Sequence, residues 1–171
     1  MSRAGAFDLV VTRWGARMGG RRMACAVGRG GVGAKRGEGD GVTPVGRHKL
    51  VAGFWRGDRM ERPESSLPLF RAGPRDVWFD DPLCPAYNMR GRRPTRFGHE
   101  RLMRGDGLYD LALVSDFNAD PVVAGGGSAI FVHVWRRARF PTAGCVAFAL
   151  PDLLWIARNW RPRRSRLVIQ G

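Results

Sequence analysis

The chain has 171 residues, 44 % of them hydrophobic, which is enough for one domain with a substantial core. A net charge of +14 resembles a nucleic-acid footprint, but the cations are nearly all arginine, with lysine only at Lys35 and Lys49, and the 24 glycines fit a GC-rich coding bias equally well. No run approaches the length of a membrane-spanning helix, no secretory leader is visible, and an odd set of cysteines (Cys25, Cys84, Cys145) without a Cys-x-x-Cys pair argues against a structural zinc site.

In chain order, residues 7–12 and 23–27 read as strands from their apolar and β-branched content. Residues 28–41 form a glycine-rich charged loop, and 47–54 a third strand. Residues 56–76 carry Pro63, Pro68 and Pro74 among charges and read as loop. Residues 96–103 suggest a short helix. Residues 108–117 and 128–135 are the two clearest strands, and 146–150 adds another. Pro151 and Asp152 suit the first turn of a helix whose apolar face is Leu153, Leu154, Ile156, Ala157 and Trp160. Residues 166–169 close the chain as a strand. The expectation is a mainly β domain spanning residues 1–171, with one or two short helices.

Several motifs lose to simpler explanations. Gly28-Arg29-Gly30-Gly31-Val32-Gly33 matches a dinucleotide-binding fingerprint, but that pattern needs a helix to start there, and Gly37, Gly39 and Gly41 follow instead. A turned loop is expected, with no cofactor and no metal. Gly125-Gly126-Gly127 reads as a close backbone approach at a strand entry rather than an anion nest. His48 and His99 read as surface or packing residues, and the arginine clusters at 90–93 and 161–166 as solvated surface.

His133 and Cys145 stand apart. Taken singly, a histidine in an apolar strand and an isolated cysteine both favour inert burial. Gly144, directly before the cysteine, lets successive amide N–H groups turn toward a developing oxyanion. Nucleophile, base and amide cradle are the parts that acyl transfer needs. The eleven residues between His133 and Cys145 are enough for a loop and a return strand at one sheet rim.

Residues 128–133 followed by Pro141-Thr142-Ala143-Gly144-Cys145 resemble the active-site segment of YkuD-type L,D-transpeptidases, a histidine and then Ser/Thr-x-Gly-Cys. Thr43-Pro44-Val45-Gly46 resembles that family's Thr-Pro-x-Gly strand entry. Trp78 to Pro82, Tyr87-Asn88 and Asp116-Phe117-Asn118 resemble further blocks of a proteobacterial branch, so the likeness covers about residue 23 to the end. The resemblance implies a β-sandwich or open barrel and a cysteine enzyme acting on peptidoglycan tetrapeptide stems. It implies Cys145 as nucleophile, His133 as base and Gly144 with Cys145 as oxyanion donors. It also implies the Val134 carbonyl as orienter of the imidazole, and Thr142 as a local loop anchor. Two departures stand out: Ala147 where many relatives have Arg, and Val134 where Gly or Ser is common. The resemblance further implies an envelope location, although no leader is visible. A monomer is expected, and no nucleic-acid partner. Hydrolysis at the same site, or binding of an anionic polymer without catalysis, are the alternatives left open.

Overall fold

A computed structural model describes residues 4–171. The strands in chain order are β1 (Leu9–Thr12), β2 (Gly15–Met18), β3 (Arg21–Met23), β4 (Val32–Gly33), β5 (Thr43–Pro44), β6 (Gly46–His48), β7 (Leu50–Trp55), β8 (Leu69–Arg71), β9 (Asp76–Phe79), β10 (Arg90–Arg92), β11 (His99–Arg101), β12 (Leu111–Ser115), β13 (Phe131–Val134), β14 (Val146–Phe148) and β15 (Leu167–Ile169). One helix, α1 (Leu150–Asn159), lies between the last two. Strands hold 33 % of the residues and the helix 6 %, so the protein is mainly β, as its composition implies.

Two five-stranded sheets carry the architecture, ordered β3-β2-β1-β15-β6 and β14-β13-β12-β7-β8. Between them and α1 lies the main core, including Leu9, Val11, Leu111, Leu113, Val132, Val146, Phe148, Leu153, Ile156 and Trp160. The second sheet is covered on its other face too. There Phe54, Trp78, Leu102, Tyr109, Ala112 and Phe131 form another apolar cluster, and the three-stranded sheet β10-β9-β11 supplies Trp78. Burial on both faces explains why all five residues of β12 are buried. Pro151 lies in the first turn of α1, and Leu153, Ile156 and Ala157 form its buried face.

Four expectations require correction. Residues 96–103 do not form a helix: β11 pairs antiparallel with β9, Glu100 opposite Trp78. An eight-residue helix is marginal alone, whereas a ladder to β9 satisfies the backbone directly. The 56–76 stretch is not all loop, because Leu69–Arg71 pairs parallel with β7 as the sheet's edge strand. Prolines at 68 and 74 flank that strand without breaking it. The run 47–54 is two strands. β6 joins β15 in the first sheet, β7 joins β12 in the second, and Lys49 marks the corner, its N–H donating to Asp116 Oδ1 at 2.9 Å. The strand expected at 23–27 ends at Met23; it belongs to a β2–β3 hairpin closed by Gly19 and Gly20, both at positive φ.

Candidate active site

β13 and β14 run parallel, with Val132 opposite Val146 and His133 opposite Ala147. Cys145, one residue before that register, therefore stands beside Phe131. Side chains alternate along a strand, so Phe131, His133 and Cys145 share a face while Val132 and Val146 point into the main core. Both His133 and Cys145 line one cavity of about 930 Å³. Its walls also include Lys35, Glu38, Asp80, Glu100, Arg104 and Tyr109. His99 lies on the same wall, with Nδ1 2.8 Å from the Phe97 carbonyl.

His133 is buried, and its Nδ1 lies 2.7 Å from the Val134 carbonyl. A carbonyl only accepts, so Nδ1 carries the proton and Nε2 presents a lone pair. The Tyr109 ring packs edge-on against the imidazole at 5.4 Å. Burial disfavours the imidazolium and lowers the His133 pKa to about 4. Burial also raises the Cys145 thiol to about 12, with Glu100 adding to the rise while the Phe131 N–H, Lys35 and Arg104 oppose it. The resting pair is thus neutral thiol and neutral imidazole. The Cys145 Sγ–H donates to the Ala129 carbonyl at 3.0 Å, and the Phe131 N–H approaches Sγ at 3.4 Å.

Two threonines clamp the backbone around the thiol. Thr142 Oγ1 donates to the Cys145 carbonyl at 2.7 Å and accepts from the Gly144 N–H at 3.1 Å. Fully buried Thr43 donates to the Gly144 carbonyl at 2.8 Å and accepts from the Gly28 N–H at 2.7 Å. In a trans peptide the carbonyl and the next N–H point opposite ways. Anchoring the Gly144 carbonyl at Thr43 therefore turns the Cys145 N–H away from that anchor. Gly144 adopts φ +141°, and a Cβ there would stand 3.1 Å from the Val42 carbonyl, so a side chain is opposed twice.

A second support runs through Asn88, buried and at φ 57°. Its Oδ1 accepts from Trp78 Nε1–H and from the Ala129 N–H, both at 3.0 Å. Its Nδ2 donates to the carbonyls of Phe117 (3.0 Å) and Asn118 (2.8 Å). Three separate sequence blocks thereby converge on Ala129, itself at φ 50°, whose carbonyl receives the thiol.

The structure thus gathers His133, Val134, Thr142, Gly144 and Cys145 at one place. Ala147 is fully buried and exchanges backbone hydrogen bonds with Ala26. No helix starts at Gly28–Gly33; the loop turns back instead, with Gly30 N–H bonded to the Gly41 carbonyl. Sequence reasoning missed Lys35, Glu100 and Tyr109. For Lys35 a signal existed: it is one of two lysines in a chain that otherwise uses arginine.

A family model described as YkuD, the L,D-transpeptidase catalytic domain, matches residues 9–169. Neither the curated proteins nor the solved structures contain a match to the chain.

Proposed function

Because this chain belongs to the YkuD family of L,D-transpeptidase catalytic domains, we propose that it is a cysteine acyl-transfer enzyme that forms L,D cross-links on peptidoglycan tetrapeptide stems. The observation that carries the reading is the placement of Cys145 and His133 on one sheet face, both lining one cavity, inside a matched catalytic domain.

As substrate enters, Cys145 leaves the Ala129 carbonyl, and its proton passes to His133 Nε2. The sulfur bonds to the carbonyl carbon of the stem's L-centre, and the π pair moves to oxygen. The Cys145 N–H receives that oxyanion; the Gly144 N–H expected beside it is already held by Thr142 Oγ1 and fixes the loop instead. Collapse expels D-alanine, which takes the proton back from His133. An amine on a neighbouring stem then repeats the sequence in reverse and regenerates the thiol. The Val134 carbonyl fixes the tautomer this requires, and Thr142 holds the loop. A cavity of about 930 Å³ has room for peptide-length substrate, at the upper end of ordinary ligand sites.

Water in place of the amine gives a carboxypeptidase from the same acyl-enzyme. The substrate places the enzyme in the cell envelope, and among the described residues no helix is long and apolar enough to cross a membrane. The deciding experiment incubates wild type and Cys145→Ala with a disaccharide tetrapeptide and separates dimer from tripeptide. Unchanged turnover in the variant sinks the assignment. Intact mass after carbapenem exposure is the companion measurement, and an adduct on Cys25 or Cys84 instead of Cys145 contradicts the reading.

A further inference from the structure

Lys35 lies in the glycine-rich loop, more than 100 residues before the thiol, yet its side chain reaches the thiol's loop. The Lys35 side chain is only 5 % exposed. It runs across Gly127, where a Cβ would stand 2.4 Å from Lys35 Cε, so only glycine leaves the path open. Its Nζ stops beside Gly144, 3.5 Å from where a Cβ on that residue would be. Two of its three N–H groups are used, toward Asp40 Oδ1 at 2.6 Å and the Val42 carbonyl at 3.3 Å. The third has no protein acceptor among the described residues, and Lys35 lines the same cavity as Cys145.

The partner carboxylate is turned the other way. Asp40 accepts from the Arg36 N–H at 2.8 Å and the Val42 N–H at 2.9 Å, in addition to Lys35. Its negative charge is spread into the loop backbone, and the pair presents its positive end to Gly144. Glu100, Arg104, Tyr109 and His133 also stand around the thiol, and Arg29, Glu38, Asp80, His99 and Arg136 line the rest of the cavity. Arg104 is committed to Glu100 at 3.0 Å and Asp106 at 2.6 Å, and burial keeps Tyr109 and His133 neutral. Glu100 works against a thiolate.

We propose that Lys35 is a positioning residue of the acyl-transfer site, placing an ammonium beside Gly144 that stabilises the negative charge developing on the Cys145 sulfur and on the tetrahedral oxyanion. The proposal rests on the acyl-transfer reading. A loop-pinning role for the Lys35–Asp40 pair is the competing explanation, and two variants that change the local charge in opposite directions separate them. Lys35→Met removes the cation while keeping the apolar stem. Asp40→Asn removes the compensating anion and leaves the cation.

The test measures Cys145 acylation by a carbapenem by intact mass, and the rate of Cys145 alkylation by iodoacetamide at pH 9 with peptide-level localisation, in the full chain. Lys35→Met slows both about tenfold or more. Asp40→Asn holds or raises both rates. Equal losses in both variants, or a Lys35→Met rate within about twofold of wild type, overturn the proposal. If Lys35→Met does not fold, Asp40→Asn still decides, because about a tenfold fall in its acylation overturns the proposal as well. A wild-type chain that is never acylated at Cys145 would instead overturn the acyl-transfer reading itself.

Discussion

Thr43→Val is the most exacting test of how this fold holds the backbone at Cys145. The change is nearly isosteric and replaces only a hydroxyl, in a residue with no solvent exposure. That hydroxyl joins two backbone groups 116 positions apart, the Gly28 N–H at 2.7 Å and the Gly144 carbonyl at 2.8 Å. Valine leaves both without a partner in a place water does not reach. An orphaned buried backbone group costs about 1–3 kcal/mol, so the pair predicts a loss of about 3 kcal/mol. For a chain of this size that corresponds to a fall in Tm of about 6–12 °C. Activity falls as well, because the Gly144–Cys145 peptide is no longer held and the Cys145 N–H loses its fixed direction. Losing one well-aimed oxyanion donor costs about 100-fold or more in kcat, and a loosened donor is expected to lose about tenfold. Thr43→Ser keeps the hydroxyl and recovers most of both losses. The assays are urea or thermal unfolding by circular dichroism, and the rate of Cys145 acylation by a carbapenem. If Thr43→Val melts within about 1 °C of wild type, the hydroxyl is not the clamp described. Full acylation in a clearly destabilised variant would refute the link from Thr43 to the oxyanion donor.

Further expectations follow from the same contacts. The buried His133 has a folded pKa of about 4 against an ordinary 6.5, so below pH 6.5 the unfolded chain takes up a proton that the folded chain refuses. Stability is therefore lost as pH falls from 6.5 toward 4, and wild type should lose about 2 kcal/mol more than His133→Gln between pH 7.5 and 5 in urea titrations; parallel pH dependences would contradict this. Gly144→Ala must place a side chain at φ +141° against the Val42 carbonyl. It should cost about 1–3 kcal/mol in stability, measurable by urea unfolding, and slow acylation steeply. Asn88→Leu orphans two N–H groups and two carbonyls. A destabilisation of about 3 kcal/mol or more is expected, and one below about 1 kcal/mol would mean that water replaces the amide.

The chemistry-bearing pair was legible because its signals are local. An apolar strand fixes where His133 sits, and the glycine before Cys145 marks a special turn. The parallel register that puts the two side chains on one face is a tertiary property, and no single segment encodes it. Thr43 illustrates the limit: the sequence marks it within a strand-entry block, but its bond to Gly144 spans 101 residues. Asn88 is similar, since the reason that Trp78, Tyr87-Asn88 and Phe117-Asn118 travel together is a hydrogen-bond hub visible only in space. The β2–β3 hairpin escaped notice because Arg17, Arg21 and Arg22 give its outer face no apolar rhythm. The run 47–54 looks continuous, yet it crosses from one sheet to the other at Lys49, a corner that periodicity cannot mark.

The parking of Cys145 on the Ala129 carbonyl has a redox consequence. Oxidants such as peroxide attack thiolates far faster than thiols, and sulfur oxidised beyond the sulfenic acid is generally lost. All three cysteines are free, and burial raises the Cys25 pKa to about 11, which makes that thiol a poor resolving partner for an oxidised Cys145. Protection has to come from the resting state itself. A sulfur that rests protonated and hydrogen-bonded spends little time in the form oxidants attack. On the acyl-transfer reading, the same burial that would make Cys145 depend on His133 also shields the proposed nucleophile from oxidants between turnovers.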